Sequence, residues 1–171
     1  TGGDEIVDVH SPLAANTIAF VNDQFVISGN NQLTLSGSSN SYTVNIYGGS
    51  GIDTITATGI TNTVCRTNLF GGDGGDTLLG SGGNRMSLNG GEGSDKLITG
   101  SATPIAGLDM VGGNGDDTYV ITNASVFLID RVGEGTGDRV QASVNFGLIN
   151  GNFVQIEFLE TTNETGTAAI D

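Results

Sequence analysis

The sequence predicts an all-β protein in which short strands alternate with glycine-rich turns. A nine-residue pattern, G-G-x-G-x-D-x-U-x with U a large apolar residue, occurs four times. The 171 residues include 29 glycines without a collagen period, so this repeat accounts for the glycine content better than low complexity does. No stretch of useful length has apolar residues at a period of 3.6, and little helix is therefore expected.

Each copy of the pattern divides into a turn, G-G-x-G-x-D, and a short strand. Glycine enters conformations with positive φ at little cost, so these turns can direct several main-chain carbonyls toward one point. The Asp that ends the turn supplies charge, and the apolar residue two positions later is predicted to point into a narrow core. The copies span residues 48–56, 71–79, 90–98 and 112–120. Their Asp residues are Asp53, Asp76, Asp95 and Asp117, and their apolar residues are Ile55, Leu78, Leu97 and Tyr119.

The nonapeptide is recognised as a calcium-binding repeat of parallel β-helices, and the chain resembles the RTX (repeats-in-toxin) family of secreted bacterial proteins. The resemblance implies a right-handed parallel β-roll, a β-helix or solenoid with calcium ions between stacked glycine-rich turns. In the family each ion takes the first and third carbonyls and the Asp of one turn, and the second and fourth carbonyls and the Asp of the adjacent turn. Calcium takes about 6–8 oxygen ligands, which carbonyls and carboxylates provide.

Carried over to this chain, the resemblance implies three calcium sites between the four turns and a fourth that involves Asp138. The side chains of Asp73, Glu92 and Asp116 occupy variable turn positions and are expected to be solvated charges. The implied metal ligands are Gly48, Gly49, Ser50, Gly51 and Asp53; Gly71, Gly72, Asp73, Gly74 and Asp76; Gly90, Gly91, Glu92, Gly93 and Asp95; Gly112, Gly113, Asn114, Gly115 and Asp117; and Asp138.

The spacing of the motif Asp residues predicts that the turns stack on one edge of the molecule. Asp53, Asp76, Asp95 and Asp117 are separated by 23, 19 and 22 residues, and Asp138 follows 21 residues later. In the family two nonapeptides make one coil of about 18 residues, so each separation is one coil plus a small insertion. Degenerate half-turns at 80–85 and 100–104 are expected on the opposite edge. Carboxylates stacked about 5 Å apart repel by roughly 1 kcal/mol in water and roughly 3 kcal/mol at an effective dielectric of 20, which favours cations between them.

Three regions are predicted along the chain. Residues 1–47 are predicted to be N-terminal β-roll coils that largely lack calcium motifs. They are expected to contain strands at 18–21 and 25–27, joined by a turn at Asn22 and Asp23, and polar turn–strand units at 29–35 and 37–44. Residues 1–7 fit either a clipped repeat, with Asp4 as its motif Asp, or a flexible terminus. Residues 48–120 are the predicted calcium-binding repeats.

Residues 121–171 are predicted to form an irregular C-terminal capping or linking segment that leads to a further repeat block. In it Gly137 is inserted before Asp138, and Glu134 and Thr136 are predicted to stand where motif glycines belong. Both ends of the chain are expected to be cut from a longer protein.

Charge and residue usage exclude several classes of function. Asp and Glu number 19 against five Lys and Arg, a formal net charge of −14 that disfavours binding to nucleic acid and to anionic membranes. No apolar run is long enough for a membrane span. The single histidine, His10, lies in no HExxH motif, the single cysteine cannot form an internal disulfide, and no nucleophile motif is present, so no enzyme is expected.

The predicted function is that of a calcium-binding structural module that folds on binding calcium after secretion. The resemblance implies export by a type I secretion system and an extracellular location. The alternative is a calcium-dependent polysaccharide-binding, adhesin or surface-layer module of a larger protein, with a polysaccharide or cell-surface component as partner beside calcium.

Overall fold

A computed structural model describes residues 7–8, 19–21, 24–26, 32–36, 43–60, 66–82, 85–100, 107–123, 125–131, 134–144 and 158–161. These residues form strands and turns, and none of them is helical. No helix that could cross a membrane is therefore found in this part of the chain. The strands are β1 (Val7–Asp8), β2 (Ala19–Val21), β3 (Gln24–Val26), β4 (Gln32–Ser36), β5 (Thr43–Ser50), β6 (Thr54–Ile60), β7 (Arg66–Asp73), β8 (Thr77–Gly82), β9 (Arg85–Glu92), β10 (Lys96–Thr99), β11 (Leu108–Asn114), β12 (Thr118–Ile121), β13 (Val126–Ile129), β14 (Arg139–Ala142) and β15 (Phe158–Thr161).

The strands form two sheets between which the chain alternates. One sheet has the order β1-β4-β6-β8-β10-β12-β14-β15, and the other has the order β13-β11-β9-β7-β5-β3-β2. From β3 to β12 each strand pairs in parallel with the strand two positions later in the chain, and β14 pairs in parallel with β15. Each coil therefore contributes one strand to each sheet and contacts the coils before and after it. The predicted all-β parallel β-roll is confirmed.

The core is a thin apolar layer between the two sheets. Along β7 and β9 buried and partly exposed residues alternate, as the two-residue period of a strand requires. The predicted core residues Ile55, Leu78, Leu97 and Tyr119 are all 0% exposed and stand in one row across β6, β8, β10 and β12. Burying a side chain of this size contributes about 1.5–3 kcal/mol, so the rows of the core hold consecutive coils together.

The N-terminal end differs from the predicted coils. The strands predicted at 18–21 and 25–27 are present as β2 and β3, but they pair antiparallel, and β1 pairs antiparallel with β4. Only two residues separate β2 from β3, and a parallel neighbour needs a crossover of a dozen or more residues. The strands before β3 therefore close the N-terminal end of the roll and do not add a parallel coil.

Strands are also present in the C-terminal region. β13 extends one sheet next to β11, and β14 and β15 extend the other next to β12. The solenoid thus continues past residue 120 into the segment that the sequence indicated as irregular. The predictions for Asp4, His10, most of the opposite half-turns and the final residues 162–171 lie outside the described residues.

Candidate metal centre

The glycine-rich turns lie at one edge of the roll, where β5, β7, β9 and β11 end. The glycines at the second and fourth positions of each turn have positive φ, as in the second turn, where Gly72 has φ of 114° and Gly74 has φ of 133°. This region of the Ramachandran plot is open to glycine and costly for other residues. The pattern of glycines is therefore a requirement of the turn backbone.

The motif Asp residues form one buried column along this edge. Asp53, Asp76, Asp95, Asp117 and Asp138 are each at most 2% exposed. From Asp76 onward the Oδ1 atom of each accepts a hydrogen bond from the backbone N–H of the preceding Asp, at 2.7 or 2.8 Å. The predicted stacking on one edge is confirmed, and Asp138 is the fifth member of the column.

The last turn reaches Asp138 by a different alignment from the one predicted. Gly115 N donates to Glu134 O, in the same way that Gly93 N donates to Asn114 O at 2.7 Å. Glu134 is therefore at the third, variable position, and Gly135 stacks on Gly115 O as a fourth-position glycine does. The prediction that Glu134 and Thr136 occupy motif glycine positions is wrong. The extra residue between Gly135 and Asp138 shifted the alignment.

The second carboxylate oxygens of the column have no hydrogen-bond partner. The Oδ2 atoms of Asp76, Asp95 and Asp117 are buried and accept no hydrogen bond. A buried carboxylate oxygen in this state costs free energy unless a cation or donor approaches it. The Oδ2 atom of Asp76 lies against Gly71 of its own turn, and Gly90 O of the next turn lies 2.6 Å from the position that a Gly71 Cβ would take. Only a glycine leaves this small space open.

Backbone carbonyls line the gap between consecutive turns from both sides. From the first turn, Gly49 O lies against Gly72 and Gly51 O lies against Gly74. From the second turn, Gly71 O faces Gly48, and Asp73 O accepts a hydrogen bond from Gly51 N at 2.8 Å. The gap is thus lined by the second and fourth carbonyls of one turn and the first and third carbonyls of the next. This is the donor set that the family resemblance implies for calcium.

The same arrangement recurs in the next two gaps. Gly90 O and Gly112 O face the first glycines of the preceding turns, and Glu92 O and Asn114 O accept from Gly74 N and Gly93 N. Gly72 O and Gly74 O lie against Gly91 and Gly93. The carbonyl oxygens of Gly91 and Gly93 lie in the same way against Gly113 and Gly115. Gly48 and Ser50 are at the first and third positions of the first turn, so their carbonyls would face a preceding turn. The residues just before Gln32 that would form that turn lie outside the described part of the chain.

The variable turn side chains point away from the column. Asp73, Glu92 and Asp116 are exposed, as predicted for solvated charges. Asp116 is nevertheless held in place, because its Oδ1 accepts a hydrogen bond from Thr136 N at 3.1 Å.

Burial and mutual repulsion raise the pKa values of the column. Burial is the main cause for Asp76, Asp95 and Asp117, and the charge of the preceding motif Asp adds to it, while the hydrogen bond from that residue's backbone acts in the opposite direction. The pKa of Asp95 rises to about 7 and that of Asp117 to about 8. The column therefore resists ionisation at neutral pH unless a cation compensates its charge.

The chemistry of the site is that of a hard cation bound by carbonyls and a few carboxylates. Among the described residues no group of three or more His, Cys, Asp or Glu side chains is arranged to hold a metal, which disfavours a zinc-type site there. Orphaned Asp oxygens beside converging carbonyls fit calcium, which prefers oxygen ligands of both kinds.

Two buried groups at the end of the column were missed by the sequence analysis. Asp130, directly after β13, is 0% exposed. The hydroxyl oxygen of Tyr119 accepts a hydrogen bond from Gly112 N at 3.0 Å. Asp130 could have been predicted from the alternating apolar residues Val126 and Leu128, because they indicate a strand that ends at an acidic residue.

No protein-family model, no curated protein and no solved structure significantly matches this chain.

Proposed function

We propose that the chain is a calcium-binding structural module of the RTX type, which folds on binding calcium after secretion. The observation that carries the proposal is the column of buried Asp residues. Their Oδ2 atoms have no donor at Asp76, Asp95 and Asp117, and those of Asp76 and Asp95 lie beside a carbonyl of the next turn. Calcium ions bound between consecutive turns would supply positive charge to these oxygens.

The choice of Asp over Asn supports a cation. An Asn at position 76 could still accept the hydrogen bond from Asp53 N through its Oδ1 atom. Its amide could also donate to Gly90 O, which lies beside Oδ2, so Asn would satisfy the metal-free turn better than Asp does. The negative charge therefore serves something that the turn itself lacks, and a cation is the partner of matching chemistry.

The residues of the column couple ion binding to folding. Without a cation, folding must bury carboxylates that repel one another and must order a glycine-rich backbone, which costs conformational entropy. With a cation, Asp76, Asp95 and Asp117 each face two gaps and link adjacent coils. The free energy of binding then becomes free energy of folding.

Secretion is part of the proposal through the family resemblance. Export by a type I system in an unfolded form would precede folding in extracellular calcium. Extracellular calcium modules bind at roughly 10⁻⁴–10⁻³ M, which suits a switch of this kind. We propose no catalytic activity.

The alternative is a calcium-dependent polysaccharide-binding, adhesin or surface-layer module. The exposed turn side chains Asp73, Glu92 and Asp116 are acidic and disfavour an anionic polysaccharide unless calcium bridges it. No contact in the described residues favours this alternative, and it stays a prediction.

Calorimetric titration of the chain with calcium, with magnesium as the control ion, tests the proposal. We expect several calcium ions to bind and magnesium to bind weakly, because magnesium retains water and demands octahedral geometry. The variant Asp76→Asn should need about tenfold more calcium, because Asp76 faces two gaps. The matched variant Asp109→Asn removes a partly exposed carboxylate, paired with Arg66 at 3.7 Å on the outer sheet face, and should bind as the parent does. Absence of calcium uptake by the parent chain would refute the proposal.

A further inference from the structure

The turn after β13 differs from the others at its first position. Val111 pairs with Ile129 in the parallel register of β11 and β13, so Asp130 is level with Gly112. Each of the four motif turns has a glycine there, because a Cβ would overlap the Asp of its own turn. Asp130 instead places a carboxylate at this level, and it is 0% exposed. The end of the column thus holds a third buried acid beside Asp117 and Asp138.

The three acids lie at the same end of the column. Asp130 is level with Gly112, and both Asp117 Oδ2 and the Tyr119 hydroxyl lie beside that glycine. Asp138 Oδ1 accepts a hydrogen bond from Asp117 N at 2.7 Å. Burial raises the pKa of Tyr119, and the charges of Asp130, Asp117 and Asp138 raise it further, which agrees with this arrangement.

A separate observation marks this place as a cation site. The Oδ2 atom of Asp117 is buried without a hydrogen-bond partner and lies against Gly112, beside the Tyr119 hydroxyl oxygen. The acids are not gathered into a ready-made cluster of three ligands in the described residues. Asp130 therefore acts by its charge, on a site whose ligands come from Asp117, Asp138 and the turn carbonyls.

We propose that the gap between the 112–117 turn and the 134–138 turn is the tightest calcium site of the column, because Asp130 adds a third buried negative charge to it. The inference rests on the proposed calcium binding. Calcium affinity rises with the number of negative charges around a rigid site. Because this site has the highest affinity, it fills first. An ion in it also fixes Asp117, which faces the preceding gap.

Terbium luminescence excited through tyrosine reads out this site. Terbium(III) has the ligand preferences of calcium, and Tyr119 is the tyrosine whose hydroxyl adjoins Asp117 Oδ2. The signal that is lost in Tyr119→Phe is the signal of ions in the two gaps that Asp117 faces, the terminal site among them. Calcium then displaces terbium from it, so both affinities are measured on the whole chain.

Asp130→Asn removes the charge with little change of shape. We expect its terminal site to need about tenfold more calcium and about thirtyfold more terbium, because Coulomb energy scales with the charge of the ion. Asp109→Asn, the control, should change both by less than about twofold, and Asp130→Glu, which keeps the charge, by less than about threefold. Circular dichroism in saturating calcium checks that each variant folds.

The outcomes separate the inference from the proposed function. If Asp130→Asn shifts binding no more than Asp109→Asn while the parent chain binds calcium, the inference is wrong and the proposed function stands. The inference would also be overturned if Asp130→Asn and Asp130→Glu lowered the calcium affinity equally, or if Asp130→Asn lowered the affinities for calcium and terbium by the same factor. Either result would mean that the shape of the side chain, and not its charge, causes the effect. If the parent chain takes up no calcium, both are wrong.

Discussion

Two independent constraints act on the glycines at the second and fourth positions of each turn. Gly74 has φ of 133°, which an L-residue with a side chain enters only under strain. A Cβ on Gly74 would also overlap Gly51 O, a backbone atom of the preceding coil that cannot move aside without shifting the turn. The same residue type therefore serves both the local turn and the close stacking of coils.

Gly74→Ala should lower the free energy of unfolding of the calcium-loaded chain by about 2 kcal/mol or more, since a left-handed residue alone costs about 1–2 kcal/mol and the overlap adds to it. Gly75→Ala, one residue along the same turn, is the control. Its Cβ would lie 3.1 Å from Ser94 O, at a position without positive φ, so it should cost clearly less. Urea denaturation measures both, and equal losses would contradict the account of the turn.

Within a strand, the face of the sheet on which a side chain lies decides how much it contributes to the free energy of unfolding. Leu88 on β9 points inward and is 0% exposed, whereas Leu79 on β8 lies on the outer face and is partly exposed. Leu88 belongs to the apolar core that joins consecutive coils.

Leu88→Ala should therefore reduce the free energy of unfolding by about 2–5 kcal/mol, through lost burial and the cavity left behind. Leu79→Ala, the same change on the outer face, should cost about 1 kcal/mol or less. Thermal or urea denaturation at fixed calcium compares them. A larger loss for Leu79→Ala would mean that the two faces had been assigned the wrong way round.

The repeat elements were predictable from sequence and the ends of the roll were not. The glycine and Asp pattern determines both the turn and the direction of the following strand, which is why Asp53 and Ile55 lie where predicted. Alternating apolar residues look the same in parallel and antiparallel strands, so the pairing of β2 with β3 needed the length of their connection. Asp130 was not predicted as a site residue, because the extra residues between β13 and Asp138 disrupt the nine-residue pattern.

At the scale of the whole molecule, the column couples stability to pH. In the folded, metal-free chain the pKa values of Asp95 and Asp117 are about 7 and about 8, above their ordinary value of 3.8, chiefly through burial. The folded state then binds more protons than the unfolded state between pH 4 and pH 8. Its stability is full below about pH 4 and falls as the pH rises through 7 and 8.

In chelator we therefore expect the folded fraction, and with it the urea midpoint, to be largest near pH 4 and to vanish as the pH approaches neutrality. In calcium this trend should disappear or reverse, because binding releases the protons and becomes tighter as the pH rises. Denaturation series across this range, with and without calcium, check both signs. A midpoint that rises with pH in chelator would contradict buried, proton-retaining Asp residues.

We propose that calcium binding and folding of this chain are one event. A far-UV circular dichroism titration with calcium, starting in chelator at neutral pH and with magnesium as the control, tests this proposal. We expect strand signal to appear cooperatively with calcium at roughly 10⁻⁴–10⁻³ M, and not with magnesium. A full strand signal already present in chelator, unchanged by calcium, would contradict it.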